Sequence, residues 1–282
     1  MWLYSLAKRL IQIGVSIGAI ALIGLYYFQN SLIYPASLND GHGYCATPDE
    51  HSMEYKLIEL KTKDGETLQC YSIKQDPKVE NYKNKTILML TPNAGNIGHA
   101  LPIVSMFYKN FGYNVFIYSY RGYGKSTGFP SEKGLKIDAD TVMDYIEKDE
   151  QYKAGKLILY GRSLGGAVAI YIAANRKVDA VVLENTFLSL KKTIPHVFPV
   201  LKYFTNFVHQ KWNSEALISK ITAPTLLISG TKDEIVPPVH MDIIYDKLKV
   251  EKKIIKYDKF HNDTILTDGY FEEIDNWIES LK

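Results

Sequence analysis

The run Gly161-Arg162-Ser163-Leu164-Gly165-Gly166 restricts what this chain can become more than any other stretch. Before it stands the apolar segment Lys156-Leu157-Ile158-Leu159-Tyr160; after it comes Ala167-Val168-Ala169-Ile170-Tyr171-Ile172-Ala173-Ala174. A short continuous apolar run reads as a buried strand, and the longer Ala-rich one as a helix. The order is strand, tight turn, helix, with G-x-S-x-G on the turn. A sharp turn there lifts the serine hydroxyl to the edge of a sheet. The flanking glycines let neighbouring backbone and the helix approach closely. The N–H of Leu164 then faces the place where charge would develop on a bound carbonyl oxygen.

A nucleophilic serine needs a base, and the base needs an orienting carboxylate. In a parallel sheet, reactive groups sit on loops at the carboxyl ends of strands. After the strand-like Leu226-Leu227-Ile228-Ser229-Gly230 comes Thr231-Lys232-Asp233-Glu234-Ile235-Val236-Pro237. After Lys253-Ile254-Ile255-Lys256-Tyr257 comes Asp258-Lys259-Phe260-His261. The order serine, acid, histidine makes Ser163 the candidate nucleophile, Asp233 the acid and His261 the base. Taken alone, Asp233 also reads as a turn aspartate capping the helix after Pro237. Glu184, at the end of another strand, is a second candidate acid, and Glu234 is expected to point elsewhere. The histidines at 42, 51, 99, 196, 209 and 240 read as solvated or packed side chains. A second oxyanion donor is expected from Asn93-Ala94-Gly95-Asn96, which follows the strand Thr86–Leu90; the N–H of Asn93 is the first candidate and that of Ala94 the next. The Asn93 and Asn96 side chains have the alternative role of turn formers. No metal-type cluster of Cys and His is present, so neither a metal nor a cofactor is expected. Cys45 and Cys70 allow one disulfide or none.

The amino terminus bounds where such a site would work. From Leu10 to Phe28 the residues are apolar or small apart from Gln12 and Ser16. At about 1.5 Å per residue, that helix crosses a hydrocarbon core of roughly 30 Å. Lys8 and Arg9 precede it, and no basic residue follows until Lys56. That asymmetry predicts a cytoplasmic amino terminus and a main domain across the membrane, in a single pass. Trp2 and Tyr4 at one end, Tyr26 and Tyr27 at the other, suit interfacial positions. A cleaved signal peptide is the competing reading, but the apolar run is long for one and no small-residue cleavage site follows cleanly. A net charge of +2, with no basic run interleaved with aromatics, gives no reason to expect a nucleic-acid partner.

The remaining chain alternates strands and helices. Strands are expected over 55–62 and 67–73, joined by an Asp64-Gly65 turn, then over 86–90, 113–118, 156–160, 178–183, 226–229 and 253–257. Helices are expected over about 99–110, 133–147, 167–174 and 269–281, the last with Phe271, Ile274, Trp277, Ile278 and Leu281 on one face. Such alternation implies an α/β fold, a mostly parallel sheet covered on both faces. The rhythm breaks over 187–220, a segment rich in prolines and aromatics that reads as a small helical lid or acyl-chain shelf, or as ordinary packed helices.

With Asn93-Ala94-Gly95-Asn96-Ile97-Gly98, Tyr120-Arg121-Gly122-Tyr123-Gly124-Lys125-Ser126, Gly161–Gly166, Glu184-Asn185-Thr186-Phe187, Gly230–Asp233 with Val236-Pro237, and His261, the chain resembles serine hydrolases of the α/β-hydrolase superfamily. It resembles in particular the membrane-anchored group that includes α/β-hydrolase domain-containing protein 13. The resemblance runs from about Tyr55 to the carboxyl terminus and extends to the anchor. One departure is Thr91-Pro92, where the family usually carries His-Gly. Proline lacks an N–H and fixes φ, but Asn93 keeps its own donor. The resemblance implies the triad Ser163, Asp233 and His261 and acyl hydrolysis. The chain is expected to divide into a cytoplasmic segment 1–9, a transmembrane signal-anchor helix 10–28, a linker 29–53 and a hydrolase domain 54–282 with its insertion at 187–220. The expected substrate is an ester or thioester of a lipid, an acylated protein or a small molecule, cleaved through an acyl-enzyme. The alternatives are an inactive binding module on the same frame, and an acyltransferase. If the main domain is lumenal, the sequon Asn84-Lys85-Thr86 is open to glycosylation; a sugar on the second sequon, Asn262-Asp263-Thr264, would crowd His261.

Overall fold

The computed structural model describes residues 2–37, 41 and 43–281. His42 and part of the expected linker lie outside them. Helix α1 spans Trp2–Ile33. It is long and apolar enough, by length and composition, to cross a membrane, and it continues beyond residue 28 through Gln29 and Asn30 to Ile33. Of the described residues that follow it, Tyr34, Ala36 and Met53 are buried.

The strands are β1 (Lys56–Lys61), β2 (Thr67–Ile73), β3 (Lys85–Leu90), β4 (Asn114–Tyr118), β5 (Lys156–Arg162), β6 (Ala180–Glu184), β7 (Thr225–Gly230) and β8 (Lys252–Tyr257). They form one eight-stranded sheet in the order β1-β2-β4-β3-β5-β6-β7-β8. β2 pairs antiparallel with both β1 and β4, and every other pairing is parallel. The β4, β6 and β7 side chains are buried throughout, as expected of strands covered on both faces. The α/β class with a mostly parallel sheet is therefore the observed architecture.

The helices are α2 (Leu101–Ser105), α3 (Glu132–Ile146), α4 (Glu150–Ala154), α5 (Leu164–Asn175), α6 (Leu190–Val197), α7 (Val239–Lys247) and α8 (Tyr270–Ser280). Two apolar clusters divide along the sheet. One joins Leu88, Phe116 and Leu159 to α3, α5 and α7 through Leu135, Val142, Val168 and Met241. The other joins Ile87, Ile117 and Ile158 to α2 and α8 through Val104, Ile274 and Trp277. The helix expected over 99–110 is broken into a 3-10 turn, α2 and a π turn over Met106–Asn110. The insertion holds one α-helix, α6, and a chain of short 3-10 turns, rather than a packed helix pair.

Arg121 ties the frame together. Its Nε donates to Asp138 on α3 at 2.9 Å, and its Nη1 and Nη2 reach Asp64 in the β1–β2 turn at 2.7 and 3.0 Å. A planar guanidinium is the side chain suited to bridging two carboxylates in this way.

Candidate active site

The chain runs outward from β3 to β4, then crosses back to place β5 on the other side of β3. That reversal opens a crevice at the carboxyl ends of β3 and β5, the usual ligand position in such sheets. Asn93 follows β3, and Ser163 follows β5.

Ser163 has φ 53° and ψ −116°, a conformation costly for a side chain with a Cβ. Such strain, of order 1–3 kcal/mol, persists only where the surroundings impose it. They do: the Ser163 N–H donates to the Glu184 carbonyl at 2.9 Å, and its own carbonyl accepts from Gly166 N–H and from Thr186 Oγ1 at 2.8 Å. A Cβ on Gly161 would lie 2.4 Å from the Gly165 carbonyl oxygen, and one on Gly165 would lie 2.0 Å from the Leu90 carbonyl oxygen. The elbow glycines are therefore there because the helix start, the strand end and β3 nearly touch. Helix geometry leaves the N–H of Leu164, first in α5, without an intrahelical acceptor.

Asp233 and His261 meet. Oδ2 of Asp233 lies 2.6 Å from His261 Nδ1, and both side chains are buried. Oδ1 of Asp233 accepts from the N–H groups of Ile235 and Val236 at 2.9 and 2.7 Å. Asp233 is thus both the turn aspartate and the partner of His261, one oxygen for each. An ionised carboxylate only accepts, so the pairing assigns the proton to Nδ1 and leaves the Nε2 lone pair free.

His261 belongs to the loop after β8, three strands from β5, and several groups draw that loop back across the sheet. Arg162, next to Ser163, donates from Nη2 to the His261 carbonyl at 3.2 Å and to Asn262 Oδ1 at 2.8 Å. Asn185, at the end of β6 with φ 45°, donates to the same carbonyl at 2.9 Å and accepts from the Gly230 N–H at 2.8 Å. Glu234 does not point away from the site as the sequence suggested. Its Oε2 accepts from the His261 N–H at 3.1 Å, because the turn that aims Asp233 inward leaves Glu234 beside the same loop. Glu184 has no bond to His261. Fully buried, it accepts from Tyr160 at 2.5 Å, from Tyr270 at 2.9 Å and from Thr264 Oγ1. Burial, then the Glu184 charge, pushes both tyrosine hydroxyls well up, so they remain donors. Glu184 therefore anchors Thr264, three residues past His261, and acts as a structural support.

The Asn93 loop is braced on both sides. Tyr120 donates to the Thr91 carbonyl at 2.9 Å and Tyr123 to the Asn93 carbonyl at 2.8 Å. The Asn93 side chain donates to the Ile33 carbonyl at 2.9 Å, which ties this loop to the last residue of α1. Asn96 donates to the Tyr44 carbonyl at 3.0 Å and accepts from the Gly98 N–H at 2.9 Å. Both asparagine side chains are thus occupied in holding the loop, as the turn-former reading has it. The tyrosines of Tyr120–Tyr123 and the amino-terminal segment are contributors that sequence spacing does not reveal. The resemblance marked the tyrosine run without assigning it a role.

Cys45 and Cys70 are both free thiols. Among the described residues, no group of His, Cys, Asp and Glu is arranged to hold a metal ion.

Against known proteins, the family model Hydrolase_4 (serine aminopeptidase, S33) matches residues 106–219. The Saccharomyces cerevisiae protein described as uncharacterized membrane protein YNL320W is 44% identical over 98% of this chain and 98% of its own. The alpha/beta hydrolase domain-containing protein WAV2 of Arabidopsis thaliana is 35% identical over 91% of this chain and 88% of its own. Among solved structures, the Pyrococcus furiosus esterase Pf2001 superposes with a TM-score of 0.68 at 21% identity, covering 85% of this chain and 97% of that one. That likeness concerns the fold. The sequence likeness to WAV2 runs over most of both chains, and with it this chain belongs to the α/β-hydrolase domain-containing family.

Proposed function

We propose that the chain is a membrane-anchored serine hydrolase that cleaves an ester or thioester acyl bond through Ser163, His261 and Asp233. The observation that carries this reading is the buried 2.6 Å pairing of His261 with Asp233, its loop tied to the residue before a strained Ser163. In the proposed cycle, Ser163 Oγ attacks the acyl carbon while His261 Nε2 takes its proton. Asp233 holds the tautomer and stabilises the imidazolium. The negative oxygen of the tetrahedral species faces the N–H groups of Asn93 and Leu164; one such donor contributes about 3 kcal/mol to the transition state. Collapse breaks the bond to the leaving alcohol or thiol, which takes the proton from Nε2. Water then adds to the acyl-enzyme, giving its proton to Nε2, and the carboxylic acid departs as Ser163 recovers a proton.

Helix α1 is the proposed single-pass anchor. The cations at Lys8 and Arg9 favour a cytoplasmic amino terminus with the catalytic domain on the opposite side. That the Saccharomyces cerevisiae relative is described as a membrane protein supports the anchor. Digestion of the main domain by protease added to the cytoplasmic side of sealed vesicles would refute the orientation.

The test of the chemistry is labelling by a fluorophosphonate probe in membranes. Wild type should label, and Ser163→Ala should not. A folded wild-type protein that fails to label would overturn the reading.

A further inference from the structure

The end of α1 is bolted to the insertion. Gln29, the residue after the expected span, is buried; its Nε2 donates to the Phe207 carbonyl at 3.3 Å and its Oε1 accepts from the His209 N–H at 2.9 Å. Asn30 lies 3.2 Å from His209 Nε2, and the Tyr26 and His209 rings meet edge-on at 5.4 Å. One turn on, Tyr34 donates to Gln210 at 3.0 Å and accepts from Trp212 Nε1 at 2.7 Å. A hydrocarbon core takes about 20 helical residues, so a span ending near Phe28 puts the bilayer surface at the level of Gln29. The backbone of Phe207 and His209, within hydrogen-bond reach of the Gln29 side chain, therefore sits close to the hydrocarbon edge.

What the insertion presents there fits a membrane surface. Val200, Tyr203 and Phe207 are 75, 74 and 62% exposed, on adjoining turns. Soluble surfaces rarely leave such large apolar side chains together in water. Between Leu190 and Trp212 stand Lys191, Lys192, Lys202 and Lys211 and no Asp or Glu. Lys202 lies over the Tyr203 ring, 4.8 Å from its centre. Apolar tips rimmed by lysines are the composition of an element that lies in the headgroup boundary, with its ammonium groups at the level of the lipid phosphates.

We propose that the turns over Pro199–Phe207 rest in the bilayer surface beside α1. The candidate site, whose Asn93 loop is tied to Ile33 at the end of α1, then lies near the bilayer surface, and its substrate is a long-chain acyl ester of a bilayer lipid. The substrate class rests on the serine-hydrolase reading above; the docking does not.

The test uses the full chain in vesicles of mixed neutral and anionic phospholipid, in a Cys45→Ser background because Cys70 is buried. Val200→Cys and, as a control on α8, Glu272→Cys each carry an environment-sensitive fluorophore. Phospholipid brominated along the acyl chain should quench the label at 200 at least threefold more than the label at 272. Equal quenching would overturn the docking. Separately, Val200→Glu with Tyr203→Glu should slow cleavage of a long-chain acyl ester in vesicles at least tenfold and leave a soluble short-chain ester within about twofold. Loss of both activities, or of neither, would overturn the placing of the site near the bilayer surface. If the wild type cleaves neither ester, the hydrolase reading and the proposed substrate fail together, while the quenching result still decides the docking.

Discussion

Asn185 is where a small change should separate positioning from packing. Its side chain closes a bridge between the ends of β6, β7 and the histidine loop. Nδ2 donates to the His261 carbonyl at 2.9 Å, and Oδ1 accepts from Gly230 N–H at 2.8 Å. Asn185→Ala strands the Gly230 donor in a fully buried place, at about 1–3 kcal/mol. The His261 carbonyl keeps Arg162 at 3.2 Å, so its loss is smaller, about 1 kcal/mol. The position has φ 45°, which asparagine tolerates better than alanine, adding about 1 kcal/mol. The expected destabilisation is about 3–5 kcal/mol, read from denaturant unfolding of the detergent-solubilised chain. At denaturant-free conditions where the variant remains folded, fluorophosphonate labelling should slow at least tenfold, because His261 loses one of the two side chains holding its carbonyl. A destabilisation below about 1 kcal/mol, or labelling at the wild-type rate, would refute the bridge as the device that carries the histidine across the sheet.

Gly165→Ala should fail to give a stable fold, since its Cβ would stand 2.0 Å from the Leu90 backbone oxygen at the end of β3; soluble, cooperatively unfolding protein would contradict the close approach. Tyr123→Phe should cost about 1 kcal/mol and slow labelling severalfold by freeing the Asn93 carbonyl, with no change in binding of the probe's alkyl chain. Burial, with the charges of Lys192 and His196 behind it, pushes the His240 imidazole down from 6.5 to about 4, against the smaller opposing pull of Asp233 and Glu215. The unfolded chain therefore binds the extra proton between those values, so stability is level above about pH 6.5 and falls by up to about 3 kcal/mol as the pH drops toward 4. His240→Phe should flatten that part of the unfolding profile, and an unchanged slope would assign the acid sensitivity to other groups.

The parts of this fold that were legible in the sequence are those written locally. The buried strands β3, β4, β5 and β7 are unbroken apolar runs, and their ends fall within two residues of the expected ones. Ser163, Asp233 and His261 could be singled out because each follows a strand, and parallel strands deliver their carboxyl ends to one edge. Strand order was not legible, because it depends on pairings between residues far apart in sequence. Nor were the supports: Tyr123 reaching Asn93, or Glu184 gathering Tyr160, Thr264 and Tyr270, joins positions that no periodicity relates. Polarity alone ended the expected anchor at Phe28. In the folded chain Gln29 and Asn30 stay helical, because the insertion supplies the partners that water would otherwise supply.

The last turn of α1 shows why this helix and the candidate site are one unit. A helix ends with carbonyls that no intrahelical donor can reach, and near a membrane surface they need partners from the protein or the interface. Here Asn93 supplies one to Ile33. The same residue is the candidate oxyanion donor through its backbone, and its carbonyl is held by Tyr123. With the side chain fixed by the end of α1 and the carbonyl by Tyr123, the direction of the Asn93 N–H is set from both ends. Thr91-Pro92 fits this arrangement: the proline adds no donor there, the Thr91 carbonyl is taken by Tyr120, and the loop is steered by its neighbours. A loop fixed in this way does not need the His-Gly pair to define its path, since the α1 terminus and two tyrosines define it instead.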